Sequence, residues 1–124
     1  MDIRKIGEKK ALENLAYAIF NSPYWGNLYL NEESEVRFGS FIYKALPFLE
    51  NGNLNVNIKL FLYGDYKYVD IFTIYTSEDY FEFVMNEENK RYEFLYDTFL
   101  ENIEKNLEKY YGEKSKDCLR GLRH

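Results

Sequence analysis

The clearest pattern in the chain is the alternation of apolar and polar residues from Leu54 to Leu62. A period of two is typical of a β-strand with one buried face. Gly64-Asp65 follows and predicts a two-residue hairpin turn, because such turns need residues that accept positive backbone angles. Apolar residues then recur up to about residue 76. The sequence therefore predicts a central β-hairpin over residues 54–76.

A turn at Gly64-Asp65 also sets the register of this hairpin. One face is then predicted to be an aliphatic core, and the other an aromatic interaction face. An ion pair between Lys59 and Asp70 is expected to support the register. The predicted cross-strand pairs are Leu60 with Val69, Ile58 with Ile71 and Lys59 with Asp70; the aromatic face consists of Phe61, Tyr66, Tyr68 and Phe72, beside Ile74.

Helical spacing of apolar residues appears at both ends of the chain. Near the N-terminus it predicts an amphipathic helix from about Asp2 to Phe20, ended by Asn21-Ser22-Pro23. Near the C-terminus it predicts a long helix from about Glu88 to Tyr111. Gly112 closes this second pattern, as glycine often does after a helix.

Residues 24–53 admit two interpretations. Asn31 could cap a helix that Pro47 kinks and Glu50-Asn51-Gly52 ends. Alternatively, 28–30 and 35–38 could pair as a small hairpin. The helix is preferred, because apolar residues from Val36 onward fit a helical stripe.

Residues 80–85, "YFEFVM", could be a third strand or the start of a helix, and their alternation favours the strand. The predicted fold class is α+β: a small antiparallel sheet of two to three strands with an N-terminal helix, a second helix and a long C-terminal helix packed on it. We expect one domain over 1–112 and a short, basic, frayed tail over 113–124.

Composition and charge limit the classes of partner that the chain can bind. The 124 residues are 19% aromatic, and their net charge is −5. Residues 1–10 and 112–124 each carry +2, so the body between them carries −9. An acidic body repels nucleic-acid phosphates and suits a protein partner with a basic surface.

Catalytic groups are scarce. His124 is the only histidine and the last residue, and Cys118 is the only cysteine. We therefore expect no catalytic residue, no metal or cofactor, and no disulfide. A magnesium-dependent nuclease built on Asp70 and Glu82 is an alternative, but Val84 stands where such sites usually place a lysine. No signal peptide and no long apolar run is evident, which predicts a cytoplasmic protein that does not enter a membrane.

A second candidate surface is a run of carboxylates beyond the central hairpin. Such runs are usually solvated rims between elements. The functional alternative is an acidic patch that meets a basic surface of another protein. The predicted acidic patch consists of Glu78, Asp79, Glu82, Glu87 and Glu88.

Three interpretations of the aromatic face remain open. It could be a second core layer covered by a helix or by the Trp25 region, a protein interface (a homodimer or a foreign partner), or a stacking platform for single-stranded nucleic acid with Lys59 and Lys67 on phosphates. The favoured function is a non-enzymatic protein-interaction module, an acidic inhibitor or adaptor. Immunity proteins and viral or mobile-element anti-defence proteins share this profile of small size and acidity, which is an analogy only. The alternatives are a single-strand-associated protein and the magnesium-dependent hydrolase.

Overall fold

The computed structural model describes residues 3–20, 28–77 and 81–111, with side chains as far as Asn106. Three helices, five strands and one 3-10 segment make up this part of the chain. Their bounds are α1 Ile3–Ile6, α2 Glu8–Phe20, β1 Ser34–Phe38, β2 Phe41–Glu50, β3 Asn53–Leu62, β4 Lys67–Thr76, β5 Phe81–Met85, the 3-10 segment Glu87–Leu95, and α3 Tyr96–Tyr111.

The strands form one antiparallel sheet in the order β1-β2-β3-β4-β5, so each strand pairs with its neighbour in the sequence. Side chains alternate across the sheet, and one face, the inner face, is packed under α2 and α3. Phe20 of α2 contacts the rings of Phe38 on β1 and Phe99 on α3, with centroids 6.1 and 6.0 Å away. The fold is therefore α+β as predicted, but the sheet has five strands rather than two to three.

Gly7 divides the predicted N-terminal helix. Its φ is 80°, a left-handed angle that glycine adopts without steric cost. Its N–H donates to the carbonyl of Ile3 at 2.8 Å, and its carbonyl accepts from Ala11 at 3.0 Å. α1 therefore ends and α2 begins at this residue. The far end of α2 is tied to α3, where the Asn102 amide donates to the Ile19 carbonyl at 2.8 Å.

The second helix is wrong: the structure places β1 and β2 there. Asn51 and Gly52 have φ of 54° and 80°, and Glu50 pairs with Asn53 across them. Two consecutive positive angles define a tight β-hairpin turn, for which Asn-Gly is the preferred sequence. The dipeptide that we expected to end a helix instead turns β2 into β3.

Pro47 lies inside β2, where its missing N–H could cost a ladder hydrogen bond. The Pro47 carbonyl accepts from the N–H of Asn31 at 2.8 Å. In an antiparallel strand, the N–H and C=O of the same residue point to the same side of the strand. The missing donor therefore also faces this side. β1 starts only at Ser34, opposite Ala45, so its ladder does not reach Pro47. The proline is compatible with a strand at this position.

The alternative hairpin of 28–30 with 35–38 is also wrong. β1 pairs with β2, through Phe38 opposite Phe41. Gly39, with φ of 62°, makes the turn between them. The preceding residues form a smaller turn in which Tyr29 bridges Glu32.

The central hairpin is confirmed as β3 and β4, with a different turn. The turn has four residues, Tyr63 to Tyr66, and the Asp65 N–H donates to the Leu62 carbonyl at 3.2 Å. The positive φ, 49°, belongs to Tyr66 rather than to Gly64. The predicted two-residue turn and the observed four-residue turn give the same register next to the turn, because Leu62 opposite Lys67 continues the predicted pairing.

A β-bulge then changes the register. Lys59 opposes Asp70 and Leu60 opposes Val69, as predicted, but Ile58 opposes Phe72 instead of Ile71. Ile71 is the extra residue of the bulge. Beyond it, the alternation of side chains along β4 shifts by one residue.

The C-terminal part of the structure agrees more closely with the prediction from the sequence. Residues 81–85 form strand β5, as favoured. The predicted long helix starts as the 3-10 segment, with non-helical angles at Asn89, and becomes α-helical at Tyr96. Four apolar residues of this segment are buried: Leu95, Tyr96, Phe99 and Ile103. The domain boundary at 112 stays a prediction, and the tail lies outside the described residues.

Candidate interaction surface on the outer face of the sheet

The outer face of the sheet, opposite α2 and α3, carries the candidate site. It combines aromatic, charged and amide side chains, most of them half-buried. It divides into an aromatic end at the β3–β4 turn, a charged middle, and a polar end at the β2–β3 turn. Its members are Glu35 and Arg37 on β1; Ile42, Lys44, Leu46 and Phe48 on β2; Asn55, Asn57, Lys59 and Phe61 on β3; Tyr68, Asp70, Thr73 and Tyr75 on β4; and Glu82 and Val84 on β5.

The aromatic end is a cluster of Phe61, Tyr63, Tyr66 and Tyr68, called the aromatic cluster below. The ring of Phe61 lies at its centre, with centroids of Tyr63 and Tyr68 at 5.1 Å and of Tyr66 at 6.3 Å. Tyr63 is 56% exposed and Tyr66 84% exposed. The structure thus brings together three of the four predicted aromatic-face residues and adds Tyr63, which the predicted face did not include.

Phe72 does not belong to this surface. It is 1% exposed, and its ring packs 5.0 Å from both Phe83 and Phe99 in the core. The bulge at Ile71 is the reason, because one extra residue turns the following side chain to the opposite face. Ile74, two residues further on, is buried for the same reason.

The charged middle forms different pairs from those expected. Lys59 Nζ lies 2.8 Å from Glu33 Oε2, so the predicted ion pair of Lys59 with Asp70 is replaced. The hydrogen bond from Lys59 holds the pKa of the Glu33 carboxyl below its usual value. Lys44 Nζ lies 4.3 Å from the centre of the Tyr68 ring, a cation–π contact. The aromatic cluster is therefore bordered by lysine.

The Tyr68 hydroxyl contributes to the same border. It donates to Glu35 Oε1 at 3.5 Å. Partial burial, followed by the charge of Glu35, raises the pKa of this hydroxyl. Tyr68 therefore remains a hydrogen-bond donor at neutral pH.

Asp70 anchors the 3-10 segment instead of pairing with a lysine. Its carboxylate accepts from the amides of Asn57 at 2.8 Å and Asn86 at 3.3 Å. The amide of Asn89 donates to the Asp70 backbone carbonyl at 2.6 Å. These contacts give Asp70 a structural role. Among residues 3–20, 28–77 and 81–111, no three His, Cys, Asp or Glu side chains group as a metal site would require.

Three residues of the predicted acidic patch, Glu82, Glu87 and Glu88, lie within the described part of the chain. Glu78 and Asp79 lie outside the described residues. Glu82 is half-buried on β5, opposite Tyr75. Glu87 and Glu88 are exposed at the start of the 3-10 segment, where the Asn86 side chain accepts from the Glu88 N–H at 3.0 Å. Glu82 is the second residue of β5, and Glu87 comes two residues after its end at Met85.

Glu82 belongs instead to a concavity at the polar end of the outer face, called the polar pocket below. Its volume is about 220 Å³. Its residues come from four strands and their turns, so no single stretch of the sequence indicates it. It is lined by Glu50, Asn51, Asn53, Asn55, Tyr75, Thr76, Ser77 and Glu82.

A wider groove of about 510 Å³ lies beside the 3-10 segment. Phe94 borders it and is largely exposed. Phe94 lies outside the helical spacing of the buried residues Leu95, Phe99 and Ile103, so its ring does not enter the core. The groove is lined by Met85, Lys90, Arg91, Glu93, Phe94, Tyr96 and Asp97.

Comparisons with known proteins give no relative. No protein-family model matches the chain, and the searches of curated proteins and of solved structures find no significant match. Within the described part of the chain, no helix has the length and apolarity needed to cross a membrane.

Proposed function

We propose that this chain is a non-enzymatic protein-interaction module that binds a protein partner through the outer face of its sheet. The observation that carries the proposal is the aromatic cluster at the β3–β4 turn. Two of its rings, Tyr63 and Tyr66, are mostly exposed yet contact Phe61. The partner presents a basic surface, and the chain acts on it as an inhibitor or adaptor.

The cluster has the make-up of a binding hot spot. Tyrosine supplies a large apolar area with few rotatable bonds, so ordering it on binding costs little entropy. Contacts within the cluster already restrict the rings of Tyr63 and Tyr68 against Phe61. A flat partner surface would therefore meet side chains that are largely pre-positioned.

Charge supports a basic partner. Residues 87–101, which lie on the 3-10 segment and α3 and not on the outer face, expose five carboxylates against two cations, Lys90 and Arg91. Such an excess raises the association rate with a positively charged protein and repels an acidic one. The contribution is strongest at low salt, because salt screens exposed charges within about 10 Å at 0.1 M.

Affinity capture from cells of the native source tests the proposal. The bait is the full chain, and the variant is Tyr63→Ser with Tyr66→Ser. Tyr29→Ser is the matched control, since Tyr29 is 55% exposed and lies outside the cluster. We expect a partner retained by wild type and control and lost with the double variant. A partner retained equally by all three baits would contradict the proposal.

Light scattering of the same three proteins identifies a partner that is a second copy of the chain. A wild-type dimer that becomes monomeric only in the Tyr63→Ser, Tyr66→Ser variant would make the aromatic cluster a homodimer contact. A monomer in all three cases, together with selective capture, indicates a foreign protein.

A single-stranded nucleic acid is the second candidate, favoured by the lysines around the cluster. Lys44 lies over the Tyr68 ring, and Lys67 is exposed next to Tyr66. Aromatic rings with neighbouring cations are the usual platform for single strands. Anisotropy with a labelled oligonucleotide at several salt concentrations tests it, because phosphate contacts make affinity fall steeply with salt. Nuclease-sensitive capture would support this candidate over the protein partner.

A further inference from the structure

The polar pocket lies at the end of the outer face farthest from the aromatic cluster. Two cross-strand pairs frame it: Glu50 with Asn53, and Tyr75 with Glu82. Its volume of about 220 Å³ is below the roughly 300–1,000 Å³ of pockets that hold whole small-molecule ligands. The size suits a single side chain.

Asn55 forms the rigid floor of the pocket. It is 1% exposed, and its Oδ1 accepts from the Thr76 N–H at 2.7 Å, which fixes the amide. Its amide nitrogen has one weak contact, with the Asn53 carbonyl at 3.5 Å. One wall is the ring of Tyr75, held edge-to-face against Phe48 with centroids 6.2 Å apart. The pocket is therefore formed before a ligand arrives.

Its electrostatics select a cation. Glu50 and Glu82 contribute two carboxylates, and no residue lining the pocket is basic. Neither carboxylate forms an ion pair with another residue in the described part of the chain. Carboxylates in a concavity with protein walls concentrate negative potential. A positively charged group would gain most from this position.

An arginine side chain matches these features more closely than a lysine. Its guanidinium is planar, presents five N–H donors, and stacks on aromatic rings. The pocket offers carboxylate and amide acceptors beside an aromatic wall, the ring of Tyr75. The ammonium of lysine would use the charge but not the flat shape.

We propose that the polar pocket receives an arginine side chain of the partner protein. The inference rests on the proposed function and deepens it, because it names the group by which the partner's basic surface is held. Tyr68 and Tyr75 are seven residues apart along β4, about 23 Å at roughly 3.3 Å per residue. An interface of standard size, about 800 Å² on each partner, spans that distance. One partner can therefore contact the aromatic cluster and insert an arginine into the pocket.

The test titrates N-acetyl-arginine amide into the ¹⁵N-labelled full chain and follows amide chemical shifts by NMR. We expect saturable shifts at Asn53, Asn55 and Ser77. N-acetyl-citrulline amide has the same shape without the charge, and we expect it to bind at least about tenfold more weakly. Glu50→Gln and Glu82→Gln should each weaken arginine binding about two- to fivefold, the range of exposed ion pairs. Glu88→Gln, outside the pocket, is the control that leaves it unchanged.

Several outcomes would overturn the proposal. They are an absence of saturable shifts at these residues, equal binding of the citrulline compound, or tighter binding of glucose, which would indicate a site for hydroxylated ligands. If a glutamine variant fails to fold, the wild-type comparison of arginine with citrulline still decides.

The test also separates this inference from the proposed function. Partner capture that survives Glu50→Gln with Glu82→Gln, and no arginine binding, would remove the pocket and leave the aromatic cluster. Conversely, arginine binding together with partner capture that does not depend on the aromatic cluster would support the pocket and remove the aromatic cluster.

Discussion

Lys59 on β3 pairs with Glu33, the residue just before β1, and not with Asp70, which lies directly opposite Lys59 on β4. The ion pair passes over β2, where Lys44 is the cross-strand neighbour of Lys59. Two adjacent lysines would repel each other, and the Glu33 carboxylate offsets that repulsion. Asp70 is left to bind the amides that hold the 3-10 segment.

The Lys59–Glu33 pair should contribute little stability and only above acidic pH. Its side chains are 33% and 37% exposed, so a double-mutant cycle of Lys59→Met and Glu33→Gln should give a coupling of at most about 1 kcal/mol. The folded pKa of Glu33 lies below its usual value of 4.5. The coupling is therefore complete above pH 4.5 and disappears as pH falls through the lower folded pKa. Urea denaturation at pH 7 and pH 3 measures it; an equal coupling at both would contradict this.

Gly52→Ala should destabilise the protein by about 1–2 kcal/mol. The residue has φ of 80°, a backbone angle that a side chain at Cβ makes strained. The new Cβ would also lie 2.6 Å from Nε of Arg4, an exposed side chain that would have to move aside. Gly64→Ala is the matched control in the other hairpin turn. Gly64 lacks a positive φ and has open space around it, so its free energy of unfolding should change by less than about 0.5 kcal/mol. Equal losses in the two variants would contradict the turn assignments.

Phe72→Ala should cost about 3–5 kcal/mol, because it removes a buried ring between Phe83 and Phe99. Tyr66→Ala, at an exposed position of the same hairpin, should change the free energy of unfolding by about 0.5 kcal/mol or less. Chemical denaturation of both variants checks the bulge, since a regular hairpin would place these two side chains on one face. Similar small effects for both would place Phe72 outside the core.

Tyr43 should make stability fall at alkaline pH. Burial raises the pKa of its hydroxyl from 10 to about 12, so the unfolded chain loses this proton first. Its contribution is complete below pH 10 and is lost as pH rises from 10 to about 12. Denaturation midpoints between pH 9 and 12 should therefore decline less steeply in Tyr43→Phe than in wild type. Tyr66→Phe, at an exposed ring, should follow the wild-type curve.

The sequence was sufficient for β3 and for β4 up to its bulge, because the alternation there is regular and one face is buried. For β5 the alternation only favoured a strand over a helix. The sequence was insufficient for β2, whose run of apolar residues fits a helix as well as a strand. The turn at Asn51-Gly52 could have decided the question, since this dipeptide is a strong hairpin signal. Reading it as a helix end removed two strands from the predicted sheet.

The outer face was only partly predictable. Phe61, Tyr66 and Tyr68 lie between the turn and the bulge, where a simple register holds. Phe72 lies beyond the bulge, where two consecutive apolar residues, Ile71 and Phe72, stand between Asp70 and Thr73. A strict period of two carried past Asp70 therefore assigns Phe72 to the wrong face. The polar pocket joins residues from separate hairpins. It becomes visible only when the whole sheet is assembled.

The strand order has a consequence for how the chain folds. Every strand pairs with its neighbour in sequence, so the sheet can grow hairpin by hairpin through contacts of short sequence separation, which favours rapid folding. Docking α2 is different, because the bond from Asn102 to Ile19 joins residues 83 positions apart. Closing so long a loop carries an entropic cost before any contact is gained. We therefore expect the sheet and α3 to form first, and the N-terminal helix to complete the core last.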